Sequence, residues 1–359
     1  MDVDSPTGQI LIVEPNASGH HFYYVRLLVE RALQKSRNCS VVLLTTEESK
    51  GSRQFQIHLS DFPELRTVSI EPKDFSLSNL SGNQVVREST QVTFPDSDKL
   101  LVQLAIGRWK VPAPTTFLVM RPDGEPRTIK GLGRVIGLAK LILITLCNLS
   151  AKTKVFGLKS PISVRKTPIP WISDPITLND TETKVEEFKR DFARLPPLFW
   201  IGVFGYVNPR KNLDLVISAI SDRQDFGLLI AGTLNPEVQR SLSVHLENLA
   251  DRGRLIVIPG PLDDASLDSA IASVDIVVAA HSNDGPSGIV AKAAALGKPL
   301  AMAGAKSLRT DAKHLGLQAR WTKLDSHLIY ESLELLSKSG PFEPIAVASQ
   351  MDFVRKLLP

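Results

Sequence analysis

Runs of consecutive apolar residues alternate along this chain with segments whose apolar positions recur every three or four residues. The clearest series lies between Trp200 and Met302. Phe199–Phe204 reads as a buried strand. The pattern breaks at Gly205-Tyr206-Val207-Asn208-Pro209-Arg210-Lys211-Asn212, then resumes as an amphipathic helix with Leu213, Leu215, Val216, Ile217 and Ile220 on its apolar face. Three further apolar runs, Gly227–Ala231, Leu255–Ile258 and Ile276–Ala280, are each separated by a helical stretch. Strands covered on both faces read as continuous apolar runs, so this alternation predicts an α/β fold with a parallel sheet between helices. Ligands of such sheets bind beyond the carboxyl ends of the strands. The loops after Phe204, Ile230, Ile258 and Ala280 are therefore the places to look for chemistry.

The first half of the chain is less regular. Gln9–Val13 is an apolar strand, Glu14–His21 a loop, Phe22–Leu33 an amphipathic helix and Ser40–Thr45 a second strand, a βαβ opening. Glu64–Ile70, Leu100–Ala105 and Thr116–Met120 read as strands, and the polar segment Glu71–Lys99 as excursions over a surface. Val135–Leu149 is strongly apolar, interrupted by Lys140, and too short to span a bilayer. It predicts a buried or interfacial helix. Val155–Gly157 reads as the last strand of a first domain. The proline-rich Ser160–Pro175 reads as the crossing to a second, and Asp180–Arg194 as a charged helix beyond it. Near the end, Leu315–Ala319 predicts a closing strand or turn, and Ser326–Lys338 and Met351–Leu358 predict helices.

Length and charge narrow the class without naming a function. The 359 residues suit two domains of ordinary size, each with its own core. A net charge of +4 with 43% hydrophobic residues fits a globular chain rather than a disordered one. Cys39 and Cys147 lie in apolar surroundings far apart in sequence, which predicts buried thiols rather than a disulfide or metal site. No basic segment followed by an apolar core opens the chain, so a cytoplasmic location is expected and the sequons at Asn16, Asn38, Asn79 and Asn148 carry little weight. Gly131-Leu132-Gly133 follows no strand and lacks the third glycine of a dinucleotide fingerprint.

Two loops carry candidate phosphate chemistry. Arg210 and Lys211 stand close to a helix start, where basic side chains and the helix dipole both favour anions. His281–Gly288 runs into the small-residue helix Ile289–Leu296, which stops at Gly297-Lys298-Pro299, and the first amides of that helix are able to cradle a diphosphate. The plainer reading of each loop is a helix cap beside a solvated basic pair. In the first half, Gly19 allows close backbone approach at the loop after the first strand. His20 and His21 either donate to a ligand oxygen or cap the helix and meet solvent. Arg108–Lys166 holds twelve basic residues and two acidic ones. Either this region rests on anionic lipid, or its helix packs one apolar face on the sheet beneath a solvated basic surface; the second reading is favoured because such stretches are usually core.

Taken in order, Gly205–Ile220, Ile230-Ala231-Gly232-Thr233, Val257-Ile258-Pro259-Gly260 and Asp284–Leu300 resemble the donor-binding domain of family 4-type glycosyltransferases with the GT-B fold. The resemblance covers roughly the last half of the chain. It implies two Rossmann-like domains facing each other across a cleft: residues 1–165 on the acceptor side, 166–340 holding a nucleotide sugar, and 341–359 as a helix returning to the first domain. The family's diphosphate-binding arginine and lysine fall on Tyr206 and Lys211. Its two glutamates fall on Asp284, which keeps a carboxylate, and on Lys292, whose ammonium has no acceptor for ribose hydroxyls. Lys292 then reads as an outward-facing helix lysine or a contact to an acidic group of the donor.

The resemblance implies a glycosyltransferase of polysaccharide biosynthesis, retaining, with no metal and no cofactor. Its donor would be a UDP- or GDP-type sugar and its acceptor a glycan or lipid-linked hydroxyl. It leaves contact with an anionic membrane open and implies no nucleic-acid partner. Asp284, Lys211 and His20 are the expected catalytic residues. Gly205, Tyr206, Lys211, Gly232, Pro259, Ser287, Gly288 and Lys292 are expected to line the donor, and Gly19, His20, His21 and Arg121 the acceptor or phosphate side. The losses at Tyr206 and Lys292, with Arg121 at a loop where many relatives carry histidine, support a second expectation: a catalytically inactive GT-B scaffold or regulatory partner.

Overall fold

A computed structural model describes residues 8–17, 21–35, 39–122, 132–162, 169–193, 195, 199–340, 342–346 and 349–359. The chain divides into two compact units. The first begins with β1 (Gly8–Val13), α1 (His21–Lys35), β2 (Cys39–Thr45), α2 (Glu47–Lys50), α3 (Arg53–Leu59) and β3 (Leu65–Ser69). It continues through α4 (Leu77–Gly82), α5 (Gln84–Arg87), β4 (Gln91–Phe94), α6 (Leu101–Ala105) and β5 (Thr115–Val119). Helix α7 (Leu132–Cys147), β6 (Thr153–Lys159) and β7 (Trp171–Ser173) complete its sheet. The second unit contains α8 (Glu182–Ala193), β8 (Phe199–Phe204), α9 (Leu213–Ile220), β9 (Phe226–Gly232), α10 (Pro236–Asp251) and β10 (Leu255–Pro259). Then come α11 (Asp264–Ser273), β11 (Ile276–His281), α12 (Gly288–Ala295), β12 (Leu300–Gly304), α13 (Lys306–Leu315), β13 (Ala319–Thr322) and α14 (Ser326–Ser337). The terminal helix α15 (Gln350–Leu357) belongs to the first unit.

Both sheets are parallel and doubly wound. The first runs β3-β2-β1-β4-β5-β6-β7 and the second β10-β9-β8-β11-β12-β13. Numbered within its own unit, the first has the order 3-2-1-4-5-6-7 and the second 3-2-1-4-5-6, and each reverses direction between its first and fourth strands; ligands of such sheets sit at that reversal. Burial explains which strands were legible. All seven residues of β9 and all five of β5 are buried, so both read as apolar runs. The edge strands β3 and β10 are half-exposed and more mixed.

Several expectations are overturned. Leu100–Ala105 is not a strand: α6 turns Leu101 and Leu104, three apart, inward and leaves Val102 and Ile106 exposed. Glu71–Lys99 is not a surface excursion, because β4 lies inside it and sits centrally between β1 and β5. The strand's Thr93 disguised it. Its hydroxyl and that of Thr116 donate to the Leu357 carbonyl at 3.0 and 2.6 Å, satisfying an orphan acceptor at the end of α15. That helix buries Phe353, Val354 and Leu357 in the first core, with the Phe353 ring 5.0 Å from that of Tyr24.

The first sheet does not end at Val155–Gly157, since β7 pairs beyond β6 inside what reads as a crossing. Leu315–Ala319 takes the turn of the two alternatives: it ends α13 and forms a single 3-10 turn, and the strand starts only at Ala319. Helix α7 buries Gly137, Ile144 and Cys147, the packed face that was expected, but also exposes Val135, Leu138, Ile142 and Leu146 on its outer side. Cys39 and Cys147 are free thiols, the second pushed up to about 11 by burial.

Candidate functional site

The second unit's reversal lies between β8 and β11. Past β8 the chain turns at Gly205 (φ 81°), makes a 3-10 turn over Pro209–Lys211 and enters α9 through Asn212, the single non-glycine described at positive φ (44°). Asn212 ties the site together: its side-chain amide donates to Ala280 O at 2.8 Å and Arg210 O at 3.0 Å, and Ser282 N donates to Arg210 O at 2.9 Å. The loops after β8 and β11 are thereby one structure. On the other side, a Cβ on Gly232 would stand 2.2 Å from the Gly205 carbonyl oxygen, so only glycine permits this approach of backbones.

Lys211 sits over that junction. Its ammonium donates to the Phe204 carbonyl, and burial followed by the neighbouring Arg210 charge pulls it down to about 8. No carboxylate pairs with it among the described residues. His281, at the end of β11, is pulled down to about 4 by burial and then by Lys211 and Arg210, and is neutral at pH 7. Phe204, Lys211, Ala280, His281 and Ile289 border a cavity of about 10 Å³, room for one water. Any larger ligand group therefore lies outside this cavity, over the loop surface.

Around this centre the predicted donor residues separate. Ser287 caps α12, its hydroxyl accepting from Val290 N at 3.4 Å, and Gly288 opens the helix toward empty space. Asp284 is exposed, and its carboxylate accepts from Ser307 N at 3.0 Å, capping α13, which has no side-chain cap of its own. Tyr206 is exposed and its hydroxyl accepts from Asn235 at 3.1 Å. Pro259 ends the edge strand β10, two strands from β8 and thus on the order of 10 Å away.

Lys292 overturns the expectation of an outward-facing side chain. Its ammonium lies 2.6 Å from Asp268 Oδ1 and 3.7 Å from Asp264 Oδ1, on α11. Asp268 is fully buried and also accepts from Asn179 N at 2.8 Å; burial outweighs Lys292 and raises its pKa.

In the first unit the reversal lies between β1 and β4, and its chemistry is of the opposite sign. Gly19 and His20 fall outside the described residues. His21 Nδ1 is 3.0 Å from Glu14 Oε2 and its Nε2 3.9 Å from Asp96 Oδ2. Glu14 is fully buried, and its other oxygen accepts from Asn16 N at 2.9 Å. Burial raises the Glu14 and Asp96 carboxyls; for His21, burial pulls down but the Glu14 hydrogen bond and charge, with Asp96, outweigh it and raise the imidazole. Arg121 N donates to Asp98 at 3.1 Å, and Lys140 reaches both Asp98 (2.8 Å) and Arg121 O (2.9 Å). Sequence reasoning assigned no role to Glu14, Asp96, Asp268 or His281. Glu14 and His281 were within reach, each standing at the end of a legible strand; Asp96 and Asp268 were not, because only the fold brings them to their partners.

No protein-family model matches this sequence, nor does any curated protein sequence. Solved structures do. HepE of Anabaena in complex with UDP is 13% identical, over 97% of this chain and 98% of that one, with a TM-score of 0.64. A glycosyltransferase of Rickettsia africae is 11% identical over 92% and 88%, TM-score 0.63, and sucrose-phosphate synthase of Thermosynechococcus elongatus 15% identical over 92% and 90%, TM-score 0.55. This likeness, with the two parallel sheets, gives the chain the GT-B fold of two Rossmann-like units.

Proposed function

We propose that the chain transfers a sugar from a nucleoside-diphosphate donor to a hydroxyl of a glycan or glycolipid, with the donor diphosphate held by the second unit at the β8/β11 reversal. One observation carries this reading: Lys211, a half-buried cation with no carboxylate partner among the described residues, stands at the position where such sheets bind ligands. An unpaired buried charge is costly, and a diphosphate supplies the missing anion. Arg210 and the first amides of α12 add positive potential around it. In the transition state, Lys211 stabilises the charge that develops on the leaving diphosphate. Asp284, with one carboxylate oxygen on Ser307 N, offers the other to hydroxyls of the transferred sugar. The UDP and UDP-glucose complexes of HepE support a uridine donor. Retention of configuration and independence of metal come from the family resemblance, and are tested by the anomer formed and by turnover in excess chelator.

The second reading, a GT-B protein without activity, is favoured by Lys292, whose ammonium replaces the family's ribose-binding carboxylate and is held by Asp268. A thermal-shift screen against UDP, GDP, ADP, CDP and TDP, with and without magnesium, separates the two. A ligand at a hundred times its Kd stabilises the fold by about 2.7 kcal/mol. A shift with one nucleotide that disappears in Lys211→Ala supports the transferase. Silence with all five supports the inactive partner.

A further inference from the structure

The first unit presents an apolar surface that its own core does not use. Val135, Leu138, Ile142 and Leu146 of α7, with Leu149 just past its end, are 52% to 80% exposed. At 3.6 residues per turn, the four helical positions fall within an arc of about 80°, opposite Gly137, Ile144 and Cys147, which face the sheet. Among the described residues of the helix, Ala139 and Thr145 are also exposed and border this arc on either side. Elsewhere among the described residues, exposed large apolar side chains such as Tyr206, Val244 and Leu317 stand singly, apart from the pair Val102 and Ile106 on α6 and at its end, the pattern of an ordinary surface. A continuous aliphatic stripe on one helix marks an interaction site.

We propose that this face of α7 rests in the surface of an anionic lipid bilayer. Charge selects the occupant. From Pro126 to Ser173 the sequence contains nine basic residues and no acidic one, and Lys152 and Lys154 are exposed where the chain leaves α7 for β6. Basic residues that flank an apolar helix in sequence match a layer of acidic headgroups over hydrocarbon. Lys140, the one charge within the helix that the structure describes, is drawn away from the stripe to Asp98 at 2.8 Å. Spanning is excluded by length: sixteen residues rise about 24 Å against a hydrocarbon core of about 30 Å, and the inner face is committed to the sheet. The helix lies along the surface, with its outer side chains among the acyl chains. This placement does not depend on the donor reading, and would bring a GT-B enzyme to lipid-linked acceptors.

Flotation of the full chain with vesicles tests it. Wild type binds phosphatidylcholine vesicles containing about one third phosphatidylglycerol and binds pure phosphatidylcholine much less. Its binding falls in about 0.5 M NaCl, where screening acts within about 4 Å. Leu138→Glu/Ile142→Glu/Leu146→Glu lowers the partition coefficient by at least tenfold for each side chain removed from the hydrocarbon. Should the triple variant fail to fold by circular dichroism, Leu149→Glu alone decides, with a loss of about tenfold. A UDP thermal shift retained by these variants separates loss of docking from failure of the donor reading. Wild type that does not float with anionic vesicles, or variants that float as well as wild type, overturn the proposal. So does a wild-type dimer in sedimentation that the substitutions convert to monomer, since the stripe then belongs to a second copy.

Discussion

The two units share a strand order over six strands and differ in the charges they gather at its reversal. In the first, carboxylates dominate: Glu14 and Asp96 flank His21, with Asp98 occupied by Lys140 and the Arg121 backbone. In the second, cations do: Lys211 and Arg210 beside a neutral His281, with no carboxylate paired to Lys211 among the described residues. The first cluster answers its own charges, whereas the second has an unanswered one. The lesson is that a common topology fixes where a ligand binds, and the sign of the uncompensated charge at that place says what kind. Under the proposed function, an anion suits the second unit.

The largest expected effect tests whether the second unit's other charges really are compensated. Asp268→Ala strands the Lys292 ammonium and lowers stability by about 3 to 5 kcal/mol in urea unfolding. A loss below about 1 kcal/mol, within the range of ordinary surface substitutions, would mean that Lys292 turns freely to another partner. Lys292→Glu sets a carboxylate against Asp268 and Asp264 and is also destabilising, and adding Asp268→Lys recovers part of the loss. Next, Lys211→Ala lowers kcat/KM with the donor by roughly a hundredfold or more. An unchanged rate would break the contrast on which the functional reading rests. In the first unit, Glu14→Gln removes the charge that holds the His21 proton; the imidazole titrates lower by NMR, and stability falls by about 1 to 3 kcal/mol. The smallest effect is Tyr206→Phe, which loses one exposed hydrogen bond and changes stability by less than about 0.5 kcal/mol.

Acidity sharpens the same comparison, because the two reversals respond with opposite sign. His281 and Lys211 are depressed in the fold, from 6.5 to about 4 and from 10.5 to about 8. The unfolded chain binds more protons in those windows, so their contribution to stability rises as pH rises from about 4 to 6.5 and from about 8 to 10.5. His21, Glu14 and Asp96 are raised, so each contributes stability below its unfolded value that is lost as pH rises through the folded one. Between pH 4.5 and 6.5, the change of melting temperature with pH becomes less positive in His281→Asn; a slope unaffected by that change would refute the half-buried neutral histidine. On the proposed function, UDP titrations above pH 8 should show a falling affinity as Lys211 loses its proton.

The sequence by itself determined what local pattern encodes. The strands β1, β2, β5, β8, β9 and β11 announce themselves because each holds a run of consecutive apolar residues, and the amphipathic helices between them because their period is 3.6. With those came the α/β class and the loops at the carboxyl ends, including Lys211 and Asp284. Only the tertiary structure decided the rest. Thr93 looks like surface until a helix from the far end of the chain brings it a carbonyl to bind. Lys292 looks like solvent-facing charge until Asp268, twenty-four residues away, arrives on a neighbouring helix. The α7 sequence is apolar nearly all round, and which of its sides the core takes, and therefore which is left bare, is settled by packing alone. Local periodicity states that a residue is apolar or charged; its partner is a long-range fact, and partners decide whether a charge or a hydrophobic face is satisfied or available.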